Sequence, residues 1–310
     1  MKKILGLSLL ACLSACSDGS SGSSDSPVAA APVSTPLVTA PVVDGPAVEV
    51  GSKDVSLNFA AKVQGQTLAC FDKSAAMKAQ GQIFTDLRMF ISNVALVNDQ
   101  GQDVKLALTV DEGSTNLQFV DAAGNSIALL NYLDASCAAS DATKILKDAI
   151  TGLLPYGHYT ALKFQVGLPY PAMDSNLTKL PTTLAPTDMA WMWEHFPADF
   201  QLETTDGVSK KIVNALTSAK KTVVTLPLDY THAASSAAPQ VELELSKLFV
   251  STADVFVSGV EATCNNNNTA LTEASPNCAQ VYKAFGLPVQ NPSLAYEQSV
   301  FSIAPGATSL

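Results

Sequence analysis

The feature that most constrains this chain is its period-two alternation. Val55, Leu57, Phe59, Ala61 and Val63 share one parity, with Ser56, Asn58 and Lys62 between them. Successive side chains of a strand point to opposite faces, so such a run forms a strand with one buried face. Leu162, Phe164, Val166 and Leu168 repeat the pattern around Lys163 and Gln165. Val241, Leu243 and Leu245 repeat it around Glu242 and Glu244. Phe84 to Val97 is a longer, less regular strand candidate. Asn98-Asp99-Gln100-Gly101 supplies turn residues before Val104, Leu106 and Leu108, which predicts a hairpin. Val223 to Leu228, Val255 to Val260 and Ser299 to Ile303 add short strands. Many strands separated by turn signals predict an all-β fold, an antiparallel β-sandwich-like single domain.

Helical signals are few. Ser140 is a candidate cap for a helix over Asp141 to Ile150, with Ile145, Leu146 and Ala149 on one face. Cys278 to Phe285 predicts a second short helix, stopped by Gly286 with Pro288 beyond. No Gly/Pro-rich linker interrupts residues 51–310, so that span reads as one domain.

The N-terminus reads as an address. Lys2 and Lys3 precede a short apolar stretch, Ile4 to Leu13, far below the roughly 20 residues of a permanent span. Leu13-Ser14-Ala15-Cys16 has small residues just before a cysteine and resembles a bacterial lipoprotein signal. Residues 1–15 would then be removed and Cys16 lipidated. Ser17, in place of a retention aspartate, favours the outer membrane of a Gram-negative cell envelope. Residues 16–50 are rich in Ser, Gly, Ala, Pro and Val and read as a disordered tether.

Of six cysteines, Cys12 leaves with the signal and Cys16 carries lipid, which leaves Cys70, Cys137, Cys264 and Cys278. An even number in an oxidising compartment predicts two disulfides with three possible pairings. Cys264 and Cys278 flank a polar loop containing Asn265 to Asn268, which favours a local bridge and leaves Cys70 to Cys137. No CxxC spacing suggests structural zinc.

The net charge is −10, and Arg88 is the one arginine among 18 basic residues. Nucleic-acid binding needs basic patches, so that class is excluded. GxSxG, HExxH, P-loop and GxGxxG motifs are absent, and nothing orders a nucleophile; the chain is not expected to be an enzyme. Imidazole chemistry is confined to His158, His195 and His232. His158 is either a strand-surface histidine or an alternative ligand.

The stretch Asp188-Met189-Ala190-Trp191-Met192-Trp193-Glu194-His195-Phe196 holds both tryptophans, two methionines and a histidine. On a strand, Trp191, Trp193 and His195 would share one face. Such a stripe is either a core strand or a site for a soft metal, because imidazole suits copper and thioethers favour Cu(I).

From these residues the chain resembles the MbnP family, also described as the four-Cys protein of the metallo-mystery pair and related to the MopE and CorA surface proteins. Phe59-Ala60-Ala61-Lys62-Val63 followed by Cys70 resembles its opening strand. Phe90 to Val97 resembles its "YVSNVRLV" strand, and Asp134 to Cys137 its second cysteine region. Pro155 to Pro169 resembles "PAGTYTGLRFTVGVP", and Met189 to Trp193 resembles "MFWSW". Cys278 to Pro288 resembles its closing segment. The resemblance spans roughly Val55 to Ile303.

It implies a mostly β, copper-binding protein of the cell envelope. It also implies a dihaem cytochrome c peroxidase-like (MbnH-like) partner that converts a tryptophan to kynurenine. In the MopE/CorA branch the modified Trp lies two residues before a His, and with two histidines it binds Cu(I). Trp193-Glu194-His195 reproduces that spacing. The resemblance therefore implies modification at Trp193, with Trp191 as the alternative. It implies copper held by Trp193, His195 and, as second histidine, His232. The competing reading is a non-metal surface binding or adhesion β-domain in which the tryptophans are core.

Overall fold

The alternating runs pair into two sheets. The computed structural model describes residues 51–67, 83–110, 117–132, 146–169, 180–181, 184, 190–191, 196–205, 210–216, 222–248, 262–264, 276–287 and 296–305. The signal, tether and Cys16 lie outside these residues, as do Cys70, Cys137 and Val255 to Val260.

In chain order the strands are β1 (Ser52–Val63), β2 (Gln66–Thr67), β3 (Ile83–Asn98), β4 (Asp103–Lys105), β5 (Ala107–Leu108), β6 (Gln118–Val120), β7 (Ser126–Asn131) and β8 (Ala149–Pro155). They continue as β9 (Gly157–Val166), β10 (Ala190–Trp191), β11 (Phe196–Thr205), β12 (Lys210–Leu216), β13 (Thr222–His232), β14 (Gln240–Glu244), β15 (Ala262–Cys264) and β16 (Phe301–Ile303). A 3-10 turn covers Leu245–Leu248, and an α-helix, α1, covers Pro276–Ala284.

One sheet runs β16-β14-β1-β8-β5, with β2 beside β1. The other contains β3, β4, β6, β7, β9, β11, β12, β13 and β15, with β10 beside β11. Most pairs are antiparallel; β1 with β14 and β12 with β15 are parallel. The expected all-β, sandwich-like class therefore holds.

β3 organises the larger sheet. Arg88 and Met89 pair with both β11 and β7, while Ile91 and Ser92 pair with both β7 and β9. A strand has two edges, so β11 and β9 follow one another along the same edge of β3. The register shifts between Ser92 and Ala95, where Asn93 takes φ 53°. Asparagine tolerates this left-handed conformation, and such a bulge bends the strand.

The main core lies between the sheets. Phe164 of β9 meets Phe59 of β1 edge-on at 5.5 Å and Phe301 of β16 at 5.1 Å. All three are at most 3% exposed. Each such ring contributes about 1.5–3 kcal/mol by leaving water. Leu87, Met89 and Ile91 of β3 join this core, while Phe90 enters a second cluster with Leu117, Ile127, Leu129, Leu168, Leu180 and Leu184. β3 is buried on both faces, which is why its sequence does not alternate.

Three expectations change. The expected helix over Asp141 to Ile150 is not formed in its described part: residues 146–148 are not helical, and Ala149–Pro155 is β8. Ile150, Gly152 and Leu154 are buried alternately, so period two prevails over the helical reading. The hairpin after Asn98 also splits. β4 pairs with β3, but β5 pairs with β8 in the other sheet. The buried Leu106 between them is where the chain changes sheets. Finally, Trp191 pairs with Phe196 antiparallel, so the chain reverses between them. Trp191 and Phe196 therefore stand on two paired strands rather than one, with Trp193 and His195 outside the described residues.

The closing helix matches its expectation. Gly286 N–H donates to Lys283 O at 2.9 Å and Leu287 N–H to Tyr282 O at 2.7 Å, with Gly286 at φ 77°. That is a Schellman stop, which needs the left-handed conformation glycine allows.

Candidate functional site

The tryptophan stretch sits at a reversal. β10 ends at Trp191 and β11 begins at its partner, Phe196. Trp193 and His195 fall between them, outside the described residues. β11 reaches β3 at Phe200↔Met89, beyond the Val166 end of β9. His232 pairs with Gly157 at the opposite end of β9. The framework thus carries His232 and the β10–β11 reversal at different ends of the same strand.

His232 is 2% exposed. Tyr230 precedes it by two residues, so both side chains point inward from β13. The Tyr230 hydroxyl is 2.8 Å from Nδ1 of His232, and Nε2 is 3.3 Å from Lys53 O. Burial, the largest effect, holds the imidazole pKa below its usual value; hydrogen bonds to the Lys53 and Leu154 backbone oppose it. The ring is therefore neutral near pH 7. Its tautomer follows from its partners: Tyr230 donates to Nδ1, and Nε2–H donates to the Lys53 carbonyl. Tyr156 tilts against His232 at 5.5 Å, and Tyr159 stacks on Tyr230 at 6.5 Å.

A metal needs an imidazole lone pair. His232 presents one at Nε2 only if the tautomer exchanges, Nδ1–H donates to Tyr230 and the bond to Lys53 is given up. That bond is the longer of the two, so the residue fits a metal with one rearrangement. Among the described residues no group of three or more His, Cys, Asp or Glu is arranged to hold a metal.

His158 is a surface histidine with two acidic partners. Nδ1 lies 2.6 Å from Asp99 Oδ1, and Nε2 lies 2.8 Å from Asp229 Oδ1. Two carboxylates can be satisfied together only when both ring nitrogens carry protons. Hydrogen bonds to Asp229 and then Asp99 hold its pKa above the usual value. His158 is thus engaged as an imidazolium between two acids. Its carboxylate partners were invisible to the sequence, because they lie 59 and 71 residues away.

Of the cysteines, Cys264 closes β15 and Cys278 lies in α1, and these two elements pack against each other.

A sequence model of the MbnP family matches residues 52–272, more than half of the chain. The chain belongs to the MbnP family. Its fold is similar to the solved structure of MbnP from Methylosinus trichosporium, with a TM-score of 0.58 and 19% identity. That likeness covers 82% of this chain and 99% of the other. No curated protein matches the sequence. The matched span of this MbnP-family chain includes the Trp191–His195 stretch, His158 and His232.

Proposed function

We propose that this MbnP-family protein is a non-catalytic, copper-binding lipoprotein of the cell envelope. It serves as the protein substrate of a dihaem cytochrome c peroxidase-like partner that converts Trp193, or alternatively Trp191, to kynurenine. The observation that carries this reading is Trp193-Glu194-His195 inside the span matched by the family. Trp191, the alternative modification site, ends β10 and pairs with Phe196 at the start of β11.

Opening the indole replaces a non-coordinating ring with a ketone and an aryl amine, which are metal donors. His195 and the modified Trp193 would hold copper, with His232 joining through Nε2 after tautomer exchange. Neutral imidazoles suit Cu(I). A lipid at Cys16 would hold the domain at the outer membrane.

Peptide mass spectrometry across Pro186 to Glu203 tests the modification, on protein made with and without the dihaem partner. The expected result is a partner-dependent peptide that has gained one oxygen and lost one carbon at Trp193. Two intact tryptophans in copper-starved cells with the partner present would overturn the reading. Cu(I) titration tests the ligands: His195→Ala and His232→Ala should each weaken binding. Unchanged affinity in both would leave the adhesion-domain reading. Palmitate labelling that disappears in Cys16→Ala tests the anchor.

A further inference from the structure

His158 stands on β9 opposite Thr231 of β13, and separate elements fix its two ring nitrogens. The register of β13 slips between Pro227 and Tyr230, and that bulge carries Asp229. Bulges re-aim side chains; here the Asp229 carboxylate comes within 2.8 Å of Nε2. Asp99 lies in the turn between β3 and β4. Asn98 holds that turn, because its side-chain oxygen accepts the N–H of Gln100 at 3.0 Å and of Gln102 at 2.9 Å. The Asp99 carboxylate thereby comes within 2.6 Å of Nδ1.

A metal-bound histidine donates one ring N–H to a carboxylate and gives its other nitrogen to the ion. Asp99 is such an acceptor for Nδ1–H. Nε2 then carries the lone pair, with the Asp229 carboxylate beside it as a second donor. Bonds of about 2.0–2.2 Å from a divalent ion to imidazole nitrogen and carboxylate oxygen set these donors about 2.9 Å apart at a right angle, and about 3.4 Å apart at a tetrahedral one. The observed 2.8 Å fits the right angle. Right-angled nitrogen and oxygen donors suit tetragonal Cu(II) and Ni(II), with Cu(II) the tighter, whereas Cu(I) takes softer donors than a carboxylate. Charge agrees. A neutral ring between two carboxylates leaves two negative charges; a divalent ion cancels both and a proton only one. Among the described residues no lysine or arginine pairs with either carboxylate, and Lys163 of the same strand is engaged by Asp103. The Asp229 side chain is 78% exposed, so water can complete the coordination that two protein donors begin.

We propose that Nε2 of His158 and the carboxylate of Asp229 bind a divalent tetragonal ion, Cu(II) ahead of Ni(II), with Asp99 as the positioning residue that holds Nδ1–H. The ion takes the place of the Nε2 proton, which passes to solvent. This surface site uses neither Trp193, His195 nor His232, and it does not rest on the Cu(I) reading.

The test titrates the full chain with glycine-buffered Cu(II) at about pH 8, where protons compete little for an imidazole. Affinity is read from the titration. The electron spin echo of bound Cu(II) reads the remote nitrogen of a coordinated imidazole, which here is Nδ1–H. The expected result is an imidazole-bound Cu(II) that His158→Gln removes. Asp229→Asn should weaken it about tenfold or more, through loss of a donor. Asp99→Asn should weaken it about tenfold and also change the remote-nitrogen signal, which a merely structural role would not move. All three positions lie at the surface, so the amide NMR spectrum away from them should stay as it is. Equal affinity in Asp229→Asn and Asp99→Asn would reduce the contact to a lone surface imidazole and overturn the proposal. An imidazole signal that survives His158→Gln unchanged would assign the ion to His195 or His232; that also overturns it, and leaves the Cu(I) reading standing. No imidazole-bound Cu(II) at millimolar metal would overturn it outright.

Discussion

The Tyr230 hydroxyl lies 2.8 Å from Nδ1 of His232, and the two rings sit 5.8 Å apart at the inner end of β13. The pair fixes the imidazole tautomer and turns Nε2–H toward Lys53 of the other sheet. Tyr230→Phe removes the donor and leaves a buried nitrogen unpaired. The expected cost is about 1–3 kcal/mol. Urea denaturation should show a lower midpoint with an unchanged slope; an unaltered midpoint would mean that the hydroxyl does not matter to His232.

Phe164 tests the seam between the sheets, since it touches Phe59 of one strand and Phe301 of another. Phe164→Ala removes a ring that is 1% exposed and opens a cavity that three strands surround. The expected loss is about 3–5 kcal/mol, read from equilibrium unfolding. Phe164→Leu should cost less, because it keeps most of the volume.

Much of this seam was legible in the sequence. The runs at Val55–Val63 and Leu162–Val166 announced β1 and β9 because one face of each is wet, so polar and apolar residues had to alternate. β3 hid its period because both faces are buried. β5 was assigned to the wrong partner because a change of sheet at Leu106 leaves no local mark: apolar spacing is the same whichever sheet a strand joins. The helix expected near Ile150 had the apolar spacing a helix also uses, and pairing with β1 decided the matter. At the candidate site, the sequence supplied His158 and His232 but not their environments. Asp99, Asp229 and Lys53 reach them only through long-range pairing.

Glu244 offers a test on the acid side. Its carboxylate accepts the N–H groups of Gln64 and Gly65, each at 2.8 Å, and so holds the turn where φ is 50° and 76°. Burial raises its pKa, but hydrogen bonds from Ser246 and from the Gly65 and Gln64 backbone outweigh this and leave the value below the usual 4.5. A depressed folded pKa means stability present above 4.5 and lost as pH falls through the folded value. Glu244→Gln should flatten that part of the acid unfolding curve. At neutral pH it should cost about 1 kcal/mol or less, because solvent reaches the group.

The two described histidines should move stability in opposite directions with pH. His232 is buried neutral with a lowered pKa, so below about 6.5 the unfolded chain binds a proton that the folded chain refuses. Acidification through that range therefore destabilises the fold at His232. His158 has a raised pKa, held by Asp229 and Asp99. Its contribution is complete below about 6.5 and is lost as pH rises through the higher folded value. The charged groups acting on His158 among the described residues are those two carboxylates, while Lys163 on the same strand is engaged 2.7 Å from Asp103. NMR titration of the imidazole protons should show His158 titrating above, and His232 below, the unfolded value. Asp229→Asn should bring His158 down and leave His232 unmoved. If His158 titrates at the usual value while both carboxylates are present, the double clamp is not formed in solution. The stability of His158→Gln should then show the same slope between pH 6 and 8 as the unmodified chain.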